Sequence, residues 1–96
     1  MKIGKAIQEL RKQSGLSQAA LARKVNITQA ALSGIENGNR PTDETMKKLC
    51  VALNVPESLI YAMGMEKEDV PDEKKELYDS LFPVIKELVF KIAETR

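Results

Sequence analysis

The sequence predicts an all-α fold, with five short helices in residues 1–65 and a C-terminal amphipathic helical extension behind them. Three observations carry this prediction. Apolar residues recur at intervals of three and four, as in Met46, Leu49, Cys50 and Leu53, which is helical rather than strand spacing. Ser and Thr stand just ahead of such stretches as caps, and Gly15, Gly38 and Gly64 stand just behind them as stops. No segment alternates convincingly in the way a half-buried strand would.

Taken in order, IGKAIQELRK forms the first helix, with Ile3, Ile7 and Leu10 on one stripe and Gly15 at its end. Ser17 caps QAALARKV, which turns Leu21, Ala22 and Val25 inward. Thr28 caps the third helix, TQAALSGIENG, and Gly38 closes it. Thr42 or Asp43 caps ETMKKLCVAL, and Pro56 lies in the first turn of PESLIYAM. Connections of a few residues imply a compact bundle over 1–65. The stretch EKEDVPD at 66–72 is charged, holds a proline and lacks periodicity, so it reads as a linker. Residues 73–96 read as a helical segment. Pro83 disfavours helical geometry at Phe82 and removes a donor, which argues against one straight rod. Ser80 could instead cap a second helix there.

Composition narrows the function. The chain contains no histidine and a single cysteine, Cys50, so zinc sites and nucleophilic triads lack their parts, and neither catalysis nor a cofactor is expected. Cys50 lies in an apolar stripe and is read as a packing residue, and a lone cysteine suits a reducing, cytoplasmic setting. No apolar run reaches the roughly 20 residues of a membrane span, and Met1 leads straight into a polar helix, so no signal peptide is expected. Charge is divided unevenly. Residues 1–65 carry nine Lys and Arg against five Asp and Glu, whereas 66–96 carry six against nine. A basic front with an acidic back suits a front that meets a polyanion. Lys47 and Lys48 are candidates for phosphate contact, while Lys2, Lys5, Lys12, Arg23 and Lys24 read as solvated surface.

Only Asn26 and Ile27 separate the second helix from the third, which is the layout of a helix-turn-helix. Ala22 is small where the helices cross, and Asn26 suits the left-handed geometry of the turn. On the third helix Ala31, Leu32 and Ile35 cluster on one side, with Gln29, Ala30, Ser33, Gly34 and Asn37 opposite. That second face is short and polar. A helix entering a major groove ~12 Å wide benefits from short side chains, and Gln can pair bidentately with adenine. Close approach would also explain Gly34, which costs roughly 1 kcal/mol in a helix interior.

These residues resemble the Xre/Cro-type phage-repressor helix-turn-helix family over about residues 3–63. The resemblance rests on SQ at 17–18, LA at 21–22, ENG at 36–38, Pro41 and LCVALNV at the end of the fourth helix. It implies a five-helix, repressor-like domain that binds double-stranded DNA through its third helix. By the same resemblance Gln18 would anchor the second helix at a phosphate and support Gln29. Gln29, Ala30, Ser33 and Gly34 would face bases, with Thr28 beside them, and Asn37 and Arg40 would hold the backbone. Arg11 and Glu36 would form a structural ion pair. Ala30 and Gly34 stand where the family commonly has long polar side chains, which implies modest intrinsic specificity helped by DNA shape or a second half-site.

The tail holds ten large apolar residues between 77 and 92, more than one narrow seam needs. It either folds back on its own domain or pairs with a second chain. Pairing is the expectation, through Leu77, Leu81, Ile85, Leu88, Val89 and Ile92, because members of such a family bind as dimers to half-sites about one helical turn apart. The functional expectation is therefore a transcriptional regulator acting as a homodimeric repressor. Its rival is an antitoxin-like or antirepressor protein whose C-terminal helices grip a protein partner.

Overall fold

The computed structural model describes residues 1–94, in which six α-helices follow one another: α1 (Ile3–Gln13), α2 (Gln18–Lys24), α3 (Gln29–Glu36), α4 (Asp43–Leu53), α5 (Glu57–Met63) and α6 (Lys75–Glu94). Thr95 and Arg96, the last two residues of the expected C-terminal segment, lie outside the described residues.

Three helices start on a hydroxyl. Ser17 accepts from the Ala20 N–H at 3.0 Å, Thr28 from the Ala31 N–H at 3.0 Å, and Thr42 from the Thr45 N–H at 3.1 Å. Thr42, rather than Asp43, is thus the cap of α4. Each such cap contributes about 1 kcal/mol. The ends of α1 to α4 share one form, while α5 ends at Gly64 in helical geometry. Gly15, Asn26, Gly38 and Asn54 all take positive φ. Beyond each, an amide reaches back to a carbonyl in the last turn: Leu16 to Arg11, Ile27 to Ala22, Asn39 to Gly34 and Val55 to Cys50, at 2.8–3.1 Å. One closure used four times satisfies the orphan carbonyls and reverses the chain within a few residues.

The helices bury a single core of Ile7, Leu10, Leu21, Val25, Leu32, Leu49, Leu53 and Ile60, joined by Val89 from α6. Two glycines let backbones touch. A Cβ on Gly64 would stand 3.2 Å from the Lys2–Ile3 backbone, where the Lys2 N–H donates to the Gly64 carbonyl at 2.7 Å. A Cβ on Gly4 would collide with the Ile35 carbonyl oxygen, so α1 crosses α3 with no side chain between them. Because that obstacle is backbone and cannot swing away, Gly4→Ala is expected to destabilise by about 1–3 kcal/mol despite its better helix propensity. Thermal unfolding checks this, and an unchanged or raised Tm would contradict the close crossing.

The tail departs from expectation in three ways. First, 66–72 is not a loose spacer. It contains a 3-10 turn over Lys67–Asp69, in which Asp69 accepts from the Glu66 N–H at 2.8 Å. Lys75 then donates to the carbonyls of Lys67 and Val70 at 2.8 and 3.0 Å. Secondly, α6 runs through Pro83 as one helix, and Ser80 donates to the Glu76 carbonyl inside it rather than capping a new one. Its two halves are held separately. Tyr78 donates to the Met65 carbonyl at 3.0 Å, while Val89 is fully buried near the other end. Tertiary attachment on both sides of Pro83 offsets the missing hydrogen bond. Thirdly, α6 packs on its own domain: Val89 sits in the core, Ile85, Phe90 and Ala93 lie against it, and Asn54 donates to the Ala93 carbonyl at 3.1 Å. Among the described residues no helix is long and apolar enough to cross a membrane.

Candidate nucleic-acid interface

The turn between α2 and α3 is built by Asn26, whose φ of 59° lies in the left-handed region that Asn tolerates better than most residues. Ala22 is 2% exposed beneath this turn, and its carbonyl accepts from Ile27 at 3.0 Å. Leu21, Val25, Leu32 and Ile35 are buried below, with Ile27 at the edge of the core. Position and tilt of α3 therefore follow from core packing and from one backbone closure.

A polar lock fixes α3 to α1. Arg11 donates from Nε to Glu36 Oε2 at 2.7 Å and from Nη2 to Oε1 at 3.1 Å, a bidentate pair with both residues buried. Its remaining nitrogen, Nη1, donates to the Leu16 carbonyl at 2.9 Å. Gln18, expected to anchor α2 at a phosphate and to support Gln29, donates to Glu36 Oε1 at 3.0 Å. The first residue of α2 is thereby tied to the last residue of α3. Burial pushes the Glu36 carboxyl up, but the hydrogen bonds from Arg11 and Gln18 outweigh it and hold it below its ordinary range.

On α3 itself, Thr28, Gln29 and Ala30 are exposed, Ser33 and Gly34 are half-buried, and Asn37 is exposed at the end of the helix. Ala31, expected to point inward, is exposed as well. The buried stripe of this short helix is only Leu32, Ile35 and Glu36. Asn37 folds back, donating to the Ser33 carbonyl at 2.8 Å. Gly34 lies against the side chain of Asn39. A Cβ there would stand 2.6 Å from Nδ2 of Asn39, whose own N–H donates to the Gly34 carbonyl at 2.8 Å. The obstacle is the far end of an exposed side chain that can swing aside, and α3 is closed by the Asn39 backbone N–H. Asn39 itself was missed in the sequence, where only its place in the NGNR turn hinted at a role. Arg40 is exposed and has no ion pair among the described residues.

The remaining assigned residues divide clearly. Of the six assigned to dimerisation, Val89 is buried and Ile85 packs on the core, so both are committed to their own domain. Ile92 is half-buried, while Leu77, Leu81 and Leu88 stay about half exposed, joined by Val84 at 60%. Lys47 is exposed, and Lys48 makes only a 3.8 Å contact with Glu44 on its own helix. Burial, aided by Glu57, pushes the Cys50 thiol up, away from the reactive thiolate form.

A short turn between two helices, the second presenting a small, polar, solvent-facing side and locked to the scaffold at its end, defines a helix-turn-helix domain. A helix-turn-helix family model matches residues 7–60, more than half of the chain. The chain belongs to the Xre/Cro-type helix-turn-helix family of DNA-binding transcriptional regulators. It is similar to an uncharacterized HTH-type transcriptional regulator, RghRB of Bacillus subtilis (strain 168), at 33% identity over 95% of this chain and 69% of that protein. It is also similar to the HTH-type transcriptional repressor RghR of the same organism, at 38% identity over 68% of this chain and 50% of that protein. No solved structure matches the chain.

Proposed function

We propose that this protein is a cytoplasmic transcriptional repressor that occupies operator DNA as a homodimer, without a cofactor. The observation that carries the DNA reading is the exposed Thr28–Gln29–Ala30 edge of α3, continued by Ser33 and Asn37, on a helix held rigidly by the Arg11–Glu36–Gln18 lock. A rigid element presents its donors with little ordering entropy left to lose on binding. Gln29 is the one long side chain on that edge able to pair bidentately with a base. Repression is supported by the name of the relative RghR.

Leu77, Leu81, Val84 and Leu88 support the dimer. They follow one another at intervals of four, three and four on one exposed side of α6, which is the spacing of a helix-pairing seam. A second copy of α6 is its occupant, because two recognition helices must be presented about 34 Å apart to read two half-sites. Sedimentation of the full chain is expected to show a dimer, and Leu81→Asp a monomer. A parent that stays monomeric at tens of micromolar would remove the homodimer from this reading.

Selection from random duplex DNA tests the function itself. An inverted repeat with half-sites ~10–10.5 bp apart is the expected product. Gln29→Ala should then cost about 1–3 kcal/mol on the selected sequence and much less on unrelated DNA. Equal loss on every sequence would mean that Gln29 does not read bases.

A further inference from the structure

Lys2 and Lys5 look like ordinary surface lysines in the sequence, yet the fold brings them to one groove with Arg40. The groove, about 650 Å³, runs between the first turns of α1 and the connection from α3 to α4, and Asn37, Asn39 and Tyr61 also line it. Its charge is strongly one-sided. Lys5 and Arg40 have no ion pair among the described residues, and the only ion pair of Lys2 is an exposed contact with Glu66 at 3.8 Å. The first turn of α1 contains no acidic residue. The only acid on the lining is Glu36, and its charge is already met by Arg11 at 2.7 Å. Lys2 and Lys5 also border the adjoining groove that holds Glu9, Glu66 and Glu68, but on the side they share with Arg40 the lining offers no free anion.

The groove meets the reading edge at one residue. Asn37 belongs to both, as the residue that ends α3 and as part of the groove wall. The close crossing of α1 over α3 at Gly4 is what brings the first turn of α1 to this place. We infer that the groove seats the phosphate backbone of the operator beside the major-groove contacts, with Lys2 and Lys5 adding to Arg40 a sequence-independent hold. The inference rests on the DNA-binding reading and extends it to a second surface. A polyphosphate strand fits better than a compact metabolite, because the cations line an open groove that meets the end of the helix meant to lie against DNA. The side-chain amide of Asn39 on its wall suits phosphate oxygens as a donor.

The test is the salt dependence of duplex binding by the full-length parent and by Lys2→Gln/Lys5→Gln. Both lysines are exposed, so the variant should keep the parent's circular dichroism and Tm. Each phosphate contact contributes about 0.9 to the slope of log affinity against log salt, so losing two should flatten it by roughly 1.8. Affinity should fall by the same factor on selected and unrelated duplexes, with the preferred sequence unchanged. A slope and affinity equal to the parent's would overturn the groove while leaving the DNA reading intact. A loss confined to the selected sequence would overturn it too, since phosphate contacts carry no base preference. A parent that binds no duplex DNA at all would remove both. A free phosphate source is separated by adding inorganic phosphate to the apo protein at constant ionic strength. Saturable binding lost in the variant, with the DNA slope unmoved, would assign the groove to a small anion and overturn the backbone assignment.

Discussion

Arg11→Ala is expected to lower stability by about 3–5 kcal/mol, a large share of the 5–15 kcal/mol available to a small domain. The reason is what the substitution leaves behind. The Glu36 side chain is 1% exposed and would keep only neutral amide partners such as Gln18 in place of a bidentate cation. The Leu16 carbonyl would lose its donor as well. Denaturant unfolding measures the loss directly, and a change below 1 kcal/mol would mean the pair is not desolvated as the structure has it. Replacing both partners by apolar residues of similar size, Arg11→Met with Glu36→Leu, should recover much of the stability, because no charge is then left buried alone.

The pair also has a pH signature. The Glu36 carboxyl is held below its ordinary value of 4.5 in the folded protein, so its contribution is fully present above that value. It is lost as pH falls through the lower folded value. In Arg11→Ala the shift is expected to reverse, because burial is the largest influence on this carboxyl and its strongest opponent is gone, so that protonation relieves the strain. The stability gap between parent and variant should therefore be wide at neutral pH and narrow as pH falls through the carboxyl's range toward the parent's lowered folded value. A gap that does not change with pH would locate the loss in packing rather than in charge.

Val89→Asp and Leu88→Asp should differ sharply although the residues are neighbours. Val89 is fully buried, and an aspartate there would be an unpaired charge inside the core, costing about 4 kcal/mol or more. Leu88 is 55% exposed, and the same substitution should change the stability of the dilute monomer by no more than about 0.5 kcal/mol. Only the second variant would then be informative about self-association. The same packing implies that a chain ending at residue 65 loses Val89 from its core and Ile85 and Phe90 from the margin of that core. At roughly 1.5–3 kcal/mol for each fully buried apolar side chain, discounted for the two that are half-buried, the fragment should lose about 5 kcal/mol. Such a fragment is a poor isolate of the DNA-binding unit, because α6 is part of the domain it extends.

Much of this architecture was legible in local chemistry. Caps at Ser17, Thr28 and Thr42, stops at Gly15 and Gly38, and the left-handed turn at Asn26 each act within four or five residues, so the chain states them directly. Asn54 adopts the same left-handed geometry and went unread, because asparagine is common in other roles and its signal is weaker than glycine's. Gly34 has a neighbour in the fold that its place in the chain does not show. Its neighbour in space, Asn39, lies only five residues on, but nothing in the sequence says that the side chain folds over the helix. Pro83 carried a strong local preference against a continuous helix, and tertiary contacts on both sides of it prevailed.

By itself the sequence determined the helices of the first 65 residues, their order and the turn between α2 and α3, because periodicity, caps and turn residues are short-range physics. It also carried the family, through a set of residues spread over more than half of the chain. Only the tertiary structure decided which side of α6 is spent on its own core and which remains open. An apolar helix has one hydrophobic signature whether it packs in cis or in trans, and the choice depends on the surface available to receive it. The meeting of Lys2, Lys5 and Arg40 was decided in the same way, by a helix crossing that a glycine permits and that no spacing along the chain records.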